Sequence, residues 1–320
     1  MDRSERKISG IILCLGLWCM APDVKAQQEA MNAQFILNNM TINPGYTGYN
    51  EVQSFIMNHR SQWVGFKGAP VTNTLGFDMA MPKNAAIAYG GNLMHDKIGP
   101  TSELSISGNL AYRFYINNTT ELSIGLKSYF GLFQANYTGL ELTSDVFGQE
   151  DINFSFYPSN EVILNFGSGA YLHSEDYFIG LSSPRLLKNK IDNSNLDIYN
   201  TVRGRTEPTY YLMGGYNFRC NMWLDFQPAM LTKATVGAPL SIGMYGTFLL
   251  KSKWRLGGFY ALREMAGVIA ELQVTDKLNV GYSFDVSVNE LIATNLGSHE
   301  LGVSYVMRSF RKRVVYPRRF

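Results

Sequence analysis

Histidine and cysteine are the side chains best suited to act as base, nucleophile or metal ligand near neutral pH. The chain has 320 residues, with 4 His and 3 Cys. His59, His95, His173 and His299 sit in separate segments, and none shows the i, i+4 pairing of a zinc-protease helix. Cys14 and Cys19 fall in an N-terminal apolar run, so a chain processed after that run keeps Cys220 alone. An intrachain disulfide or a Cys-based zinc site is then excluded. There is no Gly-x-Ser-x-Gly elbow, phosphate loop or dinucleotide fingerprint. A lipase on the outside of the fold would need a Ser, a His and an orienting polar group together, and nothing in the spacing places a base beside a nucleophile. Asp145, Glu150 and Asp151 lack the spacing of a calcium loop and read as a solvated acidic stretch. These residues predict no catalysis, no cofactor and no metal.

The charged residues follow a different rule. In Lys277–Asn289, Leu278, Val280, Tyr282, Phe284, Val286 and Val288 share one parity, and Lys277, Asn279, Ser283, Asp285, Ser287 and Asn289 share the other. A strand points successive side chains to opposite faces, so this ribbon has one apolar and one polar side. The same pattern recurs along the chain in segments of about ten residues, the length that crosses a membrane as a strand. It predicts strands over Glu51–His59, Thr72–Met81, Ala85–Met94, Glu103–Tyr115, Glu121–Asn136, Glu161–His173 and Tyr177–Ser182. In the second half it predicts Pro208–Phe218, Met222–Leu231, Pro239–Leu250, Trp254–Leu262, Met265–Thr275, Lys277–Asn289 and Glu300–Arg308. The expected fold is all-β, a transmembrane antiparallel β-barrel of about 14 strands with both termini periplasmic.

Composition agrees. Apolar residues make up 46% and charged residues 17%, below the roughly 25% charge of soluble domains. A net charge of +2 argues against a dedicated nucleic-acid binder, whose basic residues should form a patch. Arg3, Arg6 and Lys7, then the apolar run Ile8–Met20, then Val24-Lys25-Ala26 make the three regions of a secretory signal peptide over residues 1–26. Residues 27–50 form a periplasmic or lumen lead-in, 51–310 the barrel and 311–320 a basic tail.

If the chain starts in the periplasm, alternate connections should be short. Pro82–Asn84, Asn117-Asn118, Ser174-Glu175, Arg219–Asn221, Lys251–Lys253 and Thr275-Asp276 fall on that side. The longer Arg60–Val71, Tyr137–Asn160, Ser183–Glu207 and Leu291–Ser298 fall on the other, with Arg263-Glu264 the exception. The polar parity must face a lumen, and it carries Glu103, Arg113, Lys127, Glu161, Glu271, Asp285, Glu300 and Arg308. We expect an interior largely blocked by charge pairs and by the lead-in; a plain solvated lumen is the alternative.

Several stretches are richer in Gly, Pro and aromatics than solubility requires. They include Arg60 through Pro70 with Gln62, Trp63, Gly65, Phe66 and Gly68, Asp96-Lys97-Ile98-Gly99-Pro100, and Ile179-Gly180-Leu181-Ser182-Ser183-Pro184, while Pro44 and the two glycines of Asn43-Pro44-Gly45-Tyr46-Thr47-Gly48 favour turns. Two readings stand: interfacial belt residues on a compact cap, or a rigid docking surface. Together with Gln134-Ala135-Asn136, Leu164-Asn165-Phe166-Gly167 and Phe178-Ile179-Gly180-Leu181-Ser182, these stretches resemble the PorP/SprF family of type IX secretion system membrane proteins of Bacteroidetes. The resemblance runs from about Gln34 onward. It implies an outer-membrane barrel, in contact with outer-membrane lipid, that assists secretion and surface anchoring of particular cargo. The C-terminal sorting domain of a secreted cargo protein is the implied ligand, and periplasmic ring lipoproteins of the secretion machine are implied neighbours. The docking set is then Asn43, Pro44, Arg60, Gln62, Trp63, Gly65, Phe66, Gly68, Pro70, Asp96, Lys97, Gly99 and Pro100. The tail Arg311–Phe320 departs from the family pattern. It reads either as attraction to anionic groups at the inner leaflet or as docking to an acidic partner. A passive or selective channel is the alternative function.

Overall fold

The computed structural model describes residues 33–50, 52–81, 86–117, 119–136, 159–191, 204–289 and 295–307. The alternating segments form fourteen wall strands. They are β1 (Gln53–Ser61), β2 (Val71–Ala80), β3 (Ile87–Ile98), β4 (Thr101–Tyr115), β5 (Glu121–Ala135), β6 (Ser159–His173) and β7 (Tyr177–Ser183). Then come β8 (Thr209–Tyr216), β9 (Leu224–Thr235), β10 (Ser241–Leu250), β11 (Trp254–Ala261), β12 (Met265–Gln273), β13 (Leu278–Ser287) and β14 (Ser298–Met307). Each pairs antiparallel with the next, and β1 pairs with β14 from Gln53↔Met307 to Ser61↔His299. The sheet is therefore a closed barrel, and closure removes the unpaired edges that hydrocarbon does not tolerate. The start of β1 and the end of β14 lie at the same end.

Two expected connections differ. Arg219–Asn221 is not a turn. After a break at Asn217, Phe218–Asn221 extends the ladder of β8 against β9, and the chain reverses at Met222-Trp223. Phe218 stacks on Phe226, and Arg219 Nη2 lies 2.7 Å from Asp176 Oδ1, which holds the extension in register. Strand β3 runs on to Ile98, so only Gly99 and Pro100 join it to β4. Gly99, at φ +56, supplies the left-handed turn. The end that carries the long connections thus has two tight turns, this one and Arg263-Glu264.

The burial pattern is the inverse of a soluble protein's. Ile106, Leu126, Val162 and Phe166 are about 60% exposed, whereas Ser105, Ser107, Lys127 and Asn165 are buried. No helix among the described residues is long and apolar enough to cross a membrane; the crossing is made by strands. A charge placed outward at mid-strand therefore enters hydrocarbon. Leu126→Arg is expected to lower unfolding stability by about 2–4 kcal/mol, read from urea titration in lipid bilayers. An unchanged midpoint would mean that β5 does not face lipid.

Candidate functional site

The lumen is occupied by the chain itself. Residues 33–50 lie inside the barrel as a plug, with a helical turn at Asn39–Ile42 and a 3-10 turn at Pro44–Tyr46. Pro44 opens the second turn where its missing N–H costs nothing, and the Asn43 side chain caps it by accepting from Gly45 N at 2.8 Å. The plug meets opposite walls. At its start Gln34 Nε2 donates to the Glu300 backbone carbonyl at 3.0 Å. Further on, Lys127 Nζ donates to Thr41 O at 2.8 Å, Ser182 Oγ to Ile42 O at 3.0 Å and Asn43 Nδ2 to Ala170 O at 3.1 Å. At the far end Gly48 N donates to Asp78 Oδ2 at 2.7 Å. Ring contacts add to these: Phe35 meets Tyr245 edge-on, and Tyr46 and Tyr49 pack on Tyr171. The wall is moulded to the plug. A Cβ on Gly125 would lie 2.3 Å from the Pro44 carbonyl, and one on Gly169 would lie 2.2 Å from Asn43 Oδ1.

The strongest charge group sits where the plug begins. Arg60 Nη1 and Nη2 donate to Asp285 at 2.8 and 3.2 Å, and Nη1 also reaches Glu300 Oε2 at 3.0 Å. Glu300, fully buried, accepts in addition from Ala33 N, Gln34 N and Asn58 Nδ2. The carboxylate thus ties plug to wall through charge-assisted bonds. Other inward charges pair as well: Glu271 with Arg255 at 2.9 Å, Arg113 with Glu121 at 3.8 Å, and Glu103 with Arg185 at 3.6 Å and with Tyr129. Lys127 serves the plug, Glu161 is half-buried on the inward parity, and Arg308 lies outside the described residues. Above the plug the chain after β7 crosses the inner face of β6. A Cβ on Gly167 would meet the Pro184 carbonyl, and Asn165 Oδ1 accepts from Leu186 N and Leu187 N.

These positions revise the expected docking set. Arg60 is the penultimate residue of β1 and points into the lumen, because the alternation of Ser54, Asn58 and Arg60 continues one residue past the expected strand end. Asn43 and Pro44 are buried in the plug. Asp96 points inward and accepts from Thr72 Oγ1 at 2.6 Å. Arg60, Asn43 and Pro44 are closed off from a partner at the rim, as is buried Pro70, whereas Asp96 is half-buried.

Gln62, Trp63, Gly65, Phe66, Gly68 and Pro70 do share one compact loop at the long-connection end. Gln62 N donates to Pro70 O at 2.9 Å, Phe66 N to Trp63 O and Ala69 N to Phe66 O at 3.1 Å. Trp63 adopts φ 50, a conformation rare for a bulky residue. The loop is tied sideways by Val64 N to Gly297 O and Leu296 N to Val64 O, both 2.8 Å, and by Gly99 N to Gly68 O at 2.9 Å. The contact with Gly99 is close enough that a Cβ on Gly68 would sit 3.2 Å from the Gly99 Cα. Phe66 and Leu296 stand exposed on this braced surface, and Lys97 is exposed beside it. Pro100 O accepts from Asn136 N at 2.9 Å. Among the described residues no group of His, Cys, Asp and Glu could hold a metal ion.

A family model described as type IX secretion system membrane protein PorP/SprF matches residues 24–305. The chain belongs to the PorP/SprF family. With its closed barrel, this makes it an outer-membrane protein of type IX secretion. Among solved structures it is similar to the Ralstonia pickettii toluene transporter TbuX, at 10% identity and TM-score 0.50 over 85% of this chain and 94% of that one. The CymD monoaromatic hydrocarbon channel gives 10% and 0.50 over 89% and 96%. At such identities the likeness is one of fold. A search of curated proteins returned no match.

Proposed function

We propose that this PorP/SprF protein holds the C-terminal sorting domain of a secreted cargo at the cell surface, using the rim loop Gln62–Pro70 and its neighbours. The observation that supports the reading most is the bracing of that loop: exposed Phe66 and Leu296 sit on a backbone tied to both adjacent connections. Aromatic anchors on a rigid frame lose little entropy on binding. In this reading the long connections face outside and both termini are periplasmic. The short-turn end then faces the ring lipoproteins, and no catalysis is involved. The channel alternative draws on the similar solved structures, described as a toluene transporter and a hydrocarbon channel, but the buried plug argues against a conduit. Pull-down of a secreted protein's C-terminal domain with the detergent-solubilised barrel tests the proposal. Trp63→Ala with Phe66→Ala is expected to weaken capture at least tenfold, from about 2 kcal/mol or more at a hot spot. Equal capture by the double variant would remove the rim loop from the function.

A further inference from the structure

Lipid-facing positions are apolar over most of the wall, but not near the long-connection end of β14 and β1–β3. His59, Asn73 and His95 stand there side by side, exposed on the outward face. One rung above them lie Ser61, Val71 and Lys97, with His299 opposite Ser61. His59 Nδ1 and Asn73 Oδ1 are 2.7 Å apart, and Tyr282 OH and His299 Nδ1 are 2.6 Å apart. Between the rim loop and the upper rung lies an open recess of about 370 Å³, lined by Ser61, Val71, Lys97 and Gly99 and by Val64 and Phe66 of the loop.

The acidic side chains of these strands all point the other way. Asp78 bonds Gly48 of the plug, Asp96 bonds Thr72, Glu103 bonds Tyr129 and Glu300 bonds Arg60. Among the described residues no Asp or Glu lies on the outward face of β14 and β1–β4. A membrane barrel's outward face meets lipid. A patch of donors without acids, set directly above apolar Met57, Leu75 and Leu93, lies where acyl chains give way to headgroups.

We propose that this recess, together with the open row His59, Asn73 and His95 one rung below it, is a headgroup site for a negatively charged, phosphate-bearing membrane lipid. Lys97 supplies the charge, His59, His95 and Asn73 supply hydrogen bonds, and the acyl chains lie along Met57, Leu75 and Leu93. The proposal rests on the membrane location and not on cargo binding.

The test is native mass spectrometry of the full mature barrel with phosphatidylglycerol and chain-matched phosphatidylcholine in equal amounts. The wild type is expected to retain phosphatidylglycerol preferentially. Lys97→Gln with His95→Gln is expected to reduce that retention about fivefold or more, the scale of one cation near a charged membrane surface. Lys251→Gln with Lys253→Gln, at the opposite rim, should leave it unchanged. Equal loss in both double variants would mean diffuse attraction and would overturn the site. So would protection of His95 from carbethoxylation by inorganic phosphate as complete as that by lipid, which would show a free-ion site. A heat-modifiable gel shift reports folding. If the double variant does not fold, His95→Gln alone must show the loss in the same direction, and unchanged retention there overturns the proposal.

Discussion

Glu300→Ala is expected to destabilise the barrel by about 3–5 kcal/mol, the usual cost of removing one member of a buried ion pair. The reason is local. Glu300 has no exposed surface and accepts from Arg60, Asn58 and the backbone N–H groups of Ala33 and Gln34. Its loss leaves buried donors unsatisfied and Arg60 with Asp285 as its remaining carboxylate. Arg60→Met should cost a similar amount, because it leaves Asp285 and Glu300 facing each other without a cation. Glu300→Gln keeps an acceptor at the same place and should cost less than either. Urea unfolding in lipid, followed by tryptophan fluorescence, gives the ranking. A wild-type midpoint for Glu300→Ala would show that the cluster does not hold the plug to the wall.

Gly125→Leu should expel the plug. The added Cβ would meet the Pro44 carbonyl carbon and oxygen at 2.3 Å and Gly45 N at 2.5 Å. Those are backbone atoms, and Gly125 itself is fixed between Ala111 and Gly169 in the sheet, so no rotamer change relieves the overlap. The plug is the movable partner. Proteoliposomes holding the variant should swell in small sugars that the wild type excludes. The crossing of Pro184 over Gly167 still narrows the route, so larger sugars should stay out. If the variant does not insert, removal of residues 33–50 must give the same entry. A sealed vesicle in both cases would mean that the plug is not what closes the lumen.

The wall was legible because alternation is local. Leu278 to Val288 and Leu122 to Leu132 each declare their lipid side without reference to any neighbour, and closure follows from the cost of an open edge in hydrocarbon. The strand ends were less legible. His59 and Met94 read as the last residues of their strands, while the ladder runs on to Ser61 and Ile98. Ends depend on cross-strand partners such as Glu300 for Arg60 and Ser102 for Lys97, which only the closed sheet reveals. The plug was half legible. Its Pro and Gly indicated turns, but its seat is formed by Gly125, Gly169, Gly281 and Gly302, which look like ordinary strand glycines in sequence. Of the rim residues, Trp63, Phe66 and Gly68 were readable as a compact cap, since Gly and aromatics in a loop exceed what solubility asks. Lys97 shares a sequence motif with Asp96, yet the period of two sends them to opposite faces.

The plug closes the lumen of this outer-membrane barrel, which leaves the rim as the place of the proposed function. Single-channel recording of the unmodified mature barrel in a planar bilayer tests it most directly. Insertion without resolvable unitary steps is the predicted result; a stable open conductance, present from the moment of insertion, would contradict it.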